Sequence, residues 1–294
     1  MTEVGAVHQQ FQRYDASRYL GYGLMEAFAS KKKNTQAGQL NRSCINEEQI
    51  FSVTIASRNP IKSSLIDSIV ALGLLGGLGS RVRHGMGSVV LESISKDGQS
   101  IWEAPADIKA YQQMLKGIVG SVATKLPPFS AFSASTRIDS LLTASNPYNV
   151  LADFGNRILL YRSWGRDGKV LGQTSEKRFK PDHDWSKFDR PRDFHPRRVV
   201  FGLPHNYGPK ANMSVKPAEH DRRSSPLLFH VHKIGSEYYG ISLLLESDFL
   251  PAGEKIDAGG KDVPANIEWS ILHDFLDGND KQGNSRFAQR EPLL

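Results

Sequence analysis

The sequence predicts an α+β fold. Three observations carry that expectation. Apolar residues recur with helical spacing in 14–33, 61–75, 105–122 and 267–278. They alternate, or concentrate as β-branched and aromatic residues, in 50–57, 88–94, 198–204 and 225–247. The two kinds of segment are mixed along 294 residues with no internal repeat, a length that accommodates roughly one large domain or two ordinary ones.

Taken in order, YDASRYLGYGLMEAFASKKK (14–33) places Tyr19, Leu20, Leu24, Met25 and Phe28 on one helical face, weakened by Gly21 and Gly23. Lys31, Lys32 and Lys33 would then sit at a helix C-terminus, where cations oppose the dipole. After a polar linker, IFSVTIAS (50–57) alternates Phe51, Val53 and Ile55 with Ser52 and Thr54 and reads as a strand. Pro60 opens a helix in which Leu65, Ile66, Ile69, Val70 and Leu72 recur at helical spacing. SVVLESI (88–94) reads as the next strand and PADIKAYQQMLKGIVGSV (105–122) as another helix. RILLYRSW (157–164) fits the end of a helix or a strand equally. RVVFGLP (198–204) reads as a short strand. SPLLFHVHKIGSEYYGISLLLES (225–247) reads as a hairpin turning at Gly235-Ser236. IEWSILHDFLDG (267–278) is helical with a glycine stop, and the last sixteen residues read as frayed.

Composition narrows the class. No stretch approaches the run of about 18 apolar residues that a membrane span needs. MTEVGAVHQQFQRY lacks the apolar centre of a signal peptide. A single cysteine, Cys44, excludes an intrachain disulfide and fits a reducing, cytoplasmic setting. The formal charge is +6, from 37 Lys+Arg against 31 Asp+Glu, and its distribution says more than its size. Between Arg162 and Arg198 there are 11 basic and 6 acidic residues, a local +5, with Val170 and Leu171 the only aliphatic side chains. A segment so composed cannot bury itself and is expected to lie as an extended insertion over a partner or over the protein surface.

The densest feature is GGLGSRVRHGMGS (76–88), with five glycines, Arg81, Arg83 and His84 but no acid. A phosphate-binding P-loop places its glycines between a strand and a following helix and ends in Lys-Ser or Lys-Thr. Here the loop leaves a helix and enters a strand, so the helix dipole opposes an anion, and no such pair follows. A dinucleotide fingerprint fails for the same reason. Two readings stay open: a helix-to-strand turn with solvated arginines, or a loop whose amides and arginines meet a bulky anion. If extended, the loop would aim Arg81 and Arg83 at one face.

LIDSIVALGLLGGLGSRVRHGMGSV resembles the glycine-rich loop of RAMP proteins, the repeat-associated RNA-binding subunits of CRISPR effectors. Within that superfamily, LGGLGSRVRHGMGSV is similar to the first-subunit family of the type III-B (Cmr) complex. So are YLGYGL, RRVVFGLPHNYG and DRRSSPLLFHVHKIGSEYYGISLLLESDFLP, so that the likeness covers roughly 14–95 and 195–252. That family opens with a strand, a Thr-Pro-Leu-type segment and a glycine-rich turn. This chain starts near the family's middle, as though a first half were missing or encoded separately.

The resemblance implies a ferredoxin-like βαββαβ fold related to the RRM, with large insertions: a single region over 1–294, comprising 14–122, a basic insertion at 162–197, and 198–278. It implies a cytoplasmic, non-catalytic RNA-binding subunit, without cofactor or metal, whose partners are guide or target single-stranded RNA and the other effector subunits, with no membrane. The candidate RNA-contacting residues are Gly76, Gly77, Gly79, Ser80, Arg81, Arg83, His84, Gly85 and Gly87 in the loop, with Arg197, Arg198, Arg222 and Arg223 as secondary candidates. Trp164, Phe179, Trp185, Phe188 and Phe194 within the insertion suit base stacking, or equally anchor it to the domain. The alternatives are a metal-independent endoribonuclease led by His84, with His230 and His232 read as structural, and a filament-capping assembly subunit. Asp182, His183 and Asp184 read as a solvated loop rather than a metal site.

Overall fold

The computed structural model describes residues 1–13, 15–120, 126–185, 193–207 and 213–294. Helices and strands follow one another as α1 (Gln9–Arg13), α2 (Asp15–Leu20), α3 (Ser63–Leu75), β1 (Ser93–Lys96), β2 (Gln99–Glu103), α4 (Ile108–Val119), β3 (Arg137–Ala144) and α5 (Pro147–Arg162). Then come β4 (Lys169–Val170), β5 (Gln173–Thr174), α6 (Lys180–Trp185), a 3₁₀ turn at Arg197–Phe201, β6 (His205–Tyr207) and β7 (Met213–Pro217). The order ends with β8 (Leu227–Ile234), β9 (Glu237–Leu244), β10 (Ile256–Ala258), β11 (Asp262–Val263), α7 (Ser270–Asp277) and β12 (Glu291–Pro292). Two four-stranded sheets are ordered β11-β10-β7-β6 and β12-β3-β9-β8, beside the hairpins β1-β2 and β4-β5. The described pairs β1–β2, β6–β7, β7–β10, β10–β11, β3–β12 and β4–β5 are all antiparallel, so the class is α+β. No helix among the described residues is long and apolar enough to cross a membrane.

The chain divides into two units. The first contains 1–118, 142–156 and 229–241. Its core includes Leu74, Tyr111 and Leu115, all fully buried. Phe154 stacks on Phe229 with ring centroids 3.8 Å apart, where β8 passes α5. Small residues permit the close approaches: a Cβ on Gly155 would lie 2.5 Å from the Ala16 carbonyl oxygen, and one on Gly73 would lie 2.3 Å from the Leu91 Cβ. The second unit contains 119–141, 157–228 and 242–294. One of its cores gathers Trp185, Val199, Leu203, Tyr207, Val215, Phe249, Ile256 and Val263.

The helices at 61–75, 105–122 and 267–278 form as α3, α4 and α7. Asp107 accepts the Ala110 N–H at the start of α4, and Gly278 closes α7 through its N–H to the Asp274 oxygen at 2.8 Å. The 225–247 hairpin forms as β8 and β9, with Gly235 at φ +60 in its turn. Residues 157–162 complete α5, so RILLYRSW ends a helix.

Elsewhere the structure corrects the sequence expectations. The 14–33 helix stops at Leu20, because Gly23 adopts φ +88 and the chain turns; Lys31–Lys33 lie in a turn, not at a helix end. Residues 50–57 form no strand, because no partner strand reaches them among the described residues. The strand expected at 88–94 begins only at Ser93. RVVFGLP winds into the 3₁₀ turn, with Leu203 then bridging Arg223. The last residues are not frayed: Arg286, Phe287 and Leu293 are buried, and β12 pairs with β3.

Candidate nucleic-acid interface

The glycine loop follows α3, whose last turn is closed by the Gly76 N–H donating to the Leu72 oxygen. Its two arms then meet. Gly77 bridges Ser88, and the Leu78 N–H donates to the Gly87 oxygen at 2.8 Å. A Cβ on Gly77 would lie 2.4 Å from that same oxygen, and a Cβ on Gly87, at φ +76, would lie 2.1 Å from the Leu78 oxygen. These two glycines let the loop close on itself. Gly85, at φ +80, lets the loop lie on the core, where a Cβ would meet Leu151 at 2.8 Å and Phe229 at 3.1 Å. Gly79, at φ +94, has open space around it and serves the turn alone.

The return arm is fixed to the edge of β8. The Phe229 N–H donates to the Arg83 oxygen at 2.9 Å, His84 bridges Phe229, and the Ser88 hydroxyl accepts the Val231 N–H at 3.0 Å. The tip is a turn, with the His84 N–H donating to the Arg81 oxygen at 2.8 Å. The loop is therefore not extended, and Arg81 and Arg83 do not share one outward face. Arg81 is exposed at φ +65, whereas Arg83 is half-buried, and that burial pulls its guanidinium below its ordinary basicity.

Around the tip four side chains come together. Arg81 donates from Nε to the Tyr22 carbonyl oxygen at 2.6 Å, with its guanidinium carbon 5.8 Å from the Tyr22 ring centroid. Arg42 donates from Nη1 to the Ser80 hydroxyl at 3.0 Å. Tyr22 is 65 % exposed, and Arg42, Ser80 and Arg81 are exposed as well. The arrangement offers two guanidinium groups, a hydroxyl and an aromatic face to solvent. Such a set can engage a phosphate backbone and stack a base. Arg42 and Tyr22 were not among the sequence candidates. Tyr22 lies in YLGYGL, whose aromatic and glycine pattern was visible, but nothing in the sequence ties Arg42 to a loop 38 residues away.

The secondary candidates belong to the second unit and are mostly held by protein groups. Arg197 makes two bonds to the Glu268 carboxylate, at 2.8 and 2.6 Å, which raise its pKa further. Arg198 reaches Asp182 at 3.2 Å and the Arg162 oxygen at 3.1 Å. Arg223 donates to the Phe249 oxygen and to the Ser247 hydroxyl. Arg222 is exposed, with no ion pair among the described residues.

Asp182 is not solvated, in contrast to the sequence reading. It is buried and accepts the Arg197 and Arg198 backbone N–H groups at 3.0 and 2.8 Å. Of the insertion's rings, Phe179 and Trp185 are buried in the protein, which makes them anchors. Trp164 stacks on His183, with centroids 4.7 Å apart. Phe194 is exposed, and Phe188 lies outside the described residues.

His230 and His232 lie within the first unit, His230 Nε2 and His232 Nδ1 being 3.1 Å apart. Both are buried, so neither offers a ring nitrogen to a substrate. Burial pushes His230 down to about 4 and His232 well below its ordinary value, so the pair is neutral.

No family model matches this sequence, and comparison with curated proteins gave no match. Among solved structures, the chain is similar to Cmr1 from Pyrococcus furiosus in its apo form, with a TM-score of 0.37 and 20% sequence identity over 78% of this chain. The match covers 58% of that protein, so this chain spans less than two thirds of its length.

Proposed function

We propose that this chain is a RAMP-type, ferredoxin-like RNA-binding subunit of a type III-B CRISPR effector. It holds guide or target single-stranded RNA and does not cut it. The exposed cluster of Tyr22, Arg42, Ser80 and Arg81 carries this reading, because it crowns the glycine loop on which the RAMP resemblance rests. The two arginines take neighbouring phosphates, and the Tyr22 ring takes a base. The remaining loop glycines shape this tip and do not themselves form the anion site. Its partners in this reading include the other effector subunits, and 162–197 is an insertion anchored by Phe179 and Trp185.

Fluorescence anisotropy with labelled single-stranded RNA tests the reading. Arg42→Ala and Arg81→Ala are each expected to weaken binding about 10-fold, to a similar extent for unrelated sequences. The RNA is expected to stay intact with Mg²⁺ or with EDTA. Cleavage that vanishes in His84→Ala would favour an endoribonuclease instead, and a folded protein that ignores RNA would favour a pure assembly subunit.

A further inference from the structure

Residues 24–41 form an irregular hairpin that starts beside the glycine-loop tip. Its arms pair in one register. The Asn41 N–H donates to the Leu24 oxygen at 2.8 Å, Met25 bridges Leu40, and the Glu26 N–H donates to the Gln39 oxygen at 2.9 Å. Ser30 and Thr35 exchange backbone bonds at 2.9 and 3.0 Å. The base carries Tyr22 and Arg42, which meet Arg81 and Ser80. The far end is the turn Lys31-Lys32-Lys33-Asn34, closed by Asn34 at φ +52. Both arms are braced. The buried Arg18 donates from Nε to the Ala27 oxygen at 2.9 Å. On the other arm, the Gly5 N–H donates to the Leu40 oxygen at 2.9 Å and the His8 N–H to the Gly38 oxygen at 3.1 Å. The hairpin therefore holds its turn at a fixed place relative to the loop tip.

What the hairpin carries outward is basic and aromatic. Residues 22–42 contain four basic side chains, Lys31, Lys32, Lys33 and Arg42, and one acid, Glu26, which is half-buried. The three lysines are exposed and take part in no ion pair among the described residues. Phe28, between the base and the turn, is 73% exposed. Beside the turn lies a recess of 320 Å³, to which Ser30, Lys31, Asn34, Thr35, Gln36 and Gln39 contribute polar groups. Lysines alone would suit any polyanion. Lysines beside an exposed ring, amides and hydroxyls suit a single-stranded nucleic acid, whose bases stack and whose sugar hydroxyls and base edges take hydrogen bonds.

We propose that RNA held at the glycine-loop tip continues along this hairpin, with Phe28 stacking a base and the lysine turn holding phosphates beyond it. This rests on the reading of the loop tip as an RNA site and adds a second contact zone to it. From Leu24 to Ser30 the arm extends at most about 20 Å. Nucleotides stacked about 3.4 Å apart cover that distance in about 6. A shorter RNA reaches one zone, and a longer one reaches both.

Fluorescence anisotropy of the full chain with labelled RNAs of about 3 and about 12 nucleotides, over a salt series, tests this. The triple variant Lys31→Ala/Lys32→Ala/Lys33→Ala, in an exposed turn, is expected to retain the wild-type far-UV circular dichroism. It is expected to weaken binding of the longer RNA by about 10-fold or more and to flatten its slope of log affinity against log salt by at least about 0.7. The shorter RNA is expected to lose less. Phe28→Ala is expected to weaken the longer RNA by about 5-fold with the slope unchanged, because stacking releases no counterions. A triple variant or a Phe28→Ala variant that binds the longer RNA as the wild type does would overturn the proposal, and the loop-tip reading stands if Arg42→Ala/Arg81→Ala still weakens binding. Equal losses for both lengths in the triple variant would show a diffuse effect of charge and overturn it as well. A wild-type chain that binds neither RNA would overturn both readings.

Discussion

At Gly77 a methyl group would lie 2.4 Å from the Gly87 carbonyl oxygen, and at Gly87 one would lie 2.1 Å from that of Leu78. Backbone oxygens cannot step aside as a flexible side chain can, so both positions require glycine for the loop to close. Gly79 needs only its φ of +94, with nothing nearby to clash. Gly87→Ala is therefore expected to destabilise by about 3 kcal/mol, combining clash and strain, and Gly79→Ala by about 1 kcal/mol. Urea unfolding midpoints of the two variants check the difference. Equal losses would show that conformation alone sets these glycines. A second prediction concerns His230. Its folded pKa is about 4 against an ordinary 6.5, so the unfolded chain binds more protons between those values. Stability from this group is full above pH 6.5, falls as the pH drops through that window, and is lost near pH 4, by about 3 kcal/mol in all. Urea titrations at pH 7 and pH 4.5 should show a smaller loss for His230→Asn than for the wild type. An identical loss in both would place the acid sensitivity elsewhere.

At the scale of elements, Trp185 is the clearest case. The basic insertion has too few aliphatic residues to form a core of its own, yet α6 sends Trp185 into one built by β6, β7, β10 and their neighbours. Trp185→Ala is expected to cost about 4 kcal/mol, as large-to-small changes at buried aromatics do. A thermal melt would register it, and an unchanged midpoint would return the ring to a surface role. What could be read ahead of the structure followed period. α3, α4, α7 and the β8–β9 hairpin repeat their apolar residues at 3.6 or 2, and each was visible. β3 was not, because Asp139 and Ser140 are buried within it and break the alternation. Asp139 is tolerated there by Arg137 at 2.6 Å and by Arg290 at 2.9 Å, the latter a partner 151 residues away. The polar C-terminus misled for the same reason. Arg286 is buried against Glu176, 110 residues distant, with three backbone oxygens taking its other N–H groups. Conversely, 50–57 has a strand's pattern without a strand's partner, and pattern alone cannot supply one.

At the scale of the whole molecule, the charge of +6 is too small to settle function by itself. Much of it is taken up internally, as at Arg197, Arg198, Arg223 and Arg286. Among the candidate arginines not so held, Arg81 at the glycine-loop tip and Arg222 stay exposed; of the four side chains gathered at the tip, the sequence displayed Ser80 and Arg81, and only folding brought Arg42 and Tyr22 there. The most direct measurement is the salt dependence of single-stranded RNA binding by the intact chain, beside the Arg42→Ala/Arg81→Ala double variant. Each phosphate contact releases counterions, so removing one should flatten the slope of log affinity against log salt by about 0.7. The expected result is weaker binding and a slope shallower by about 1.4 in a double variant that keeps the wild-type circular dichroism. An unchanged affinity and slope in that folded variant would contradict the assignment of the loop tip as the RNA-binding surface.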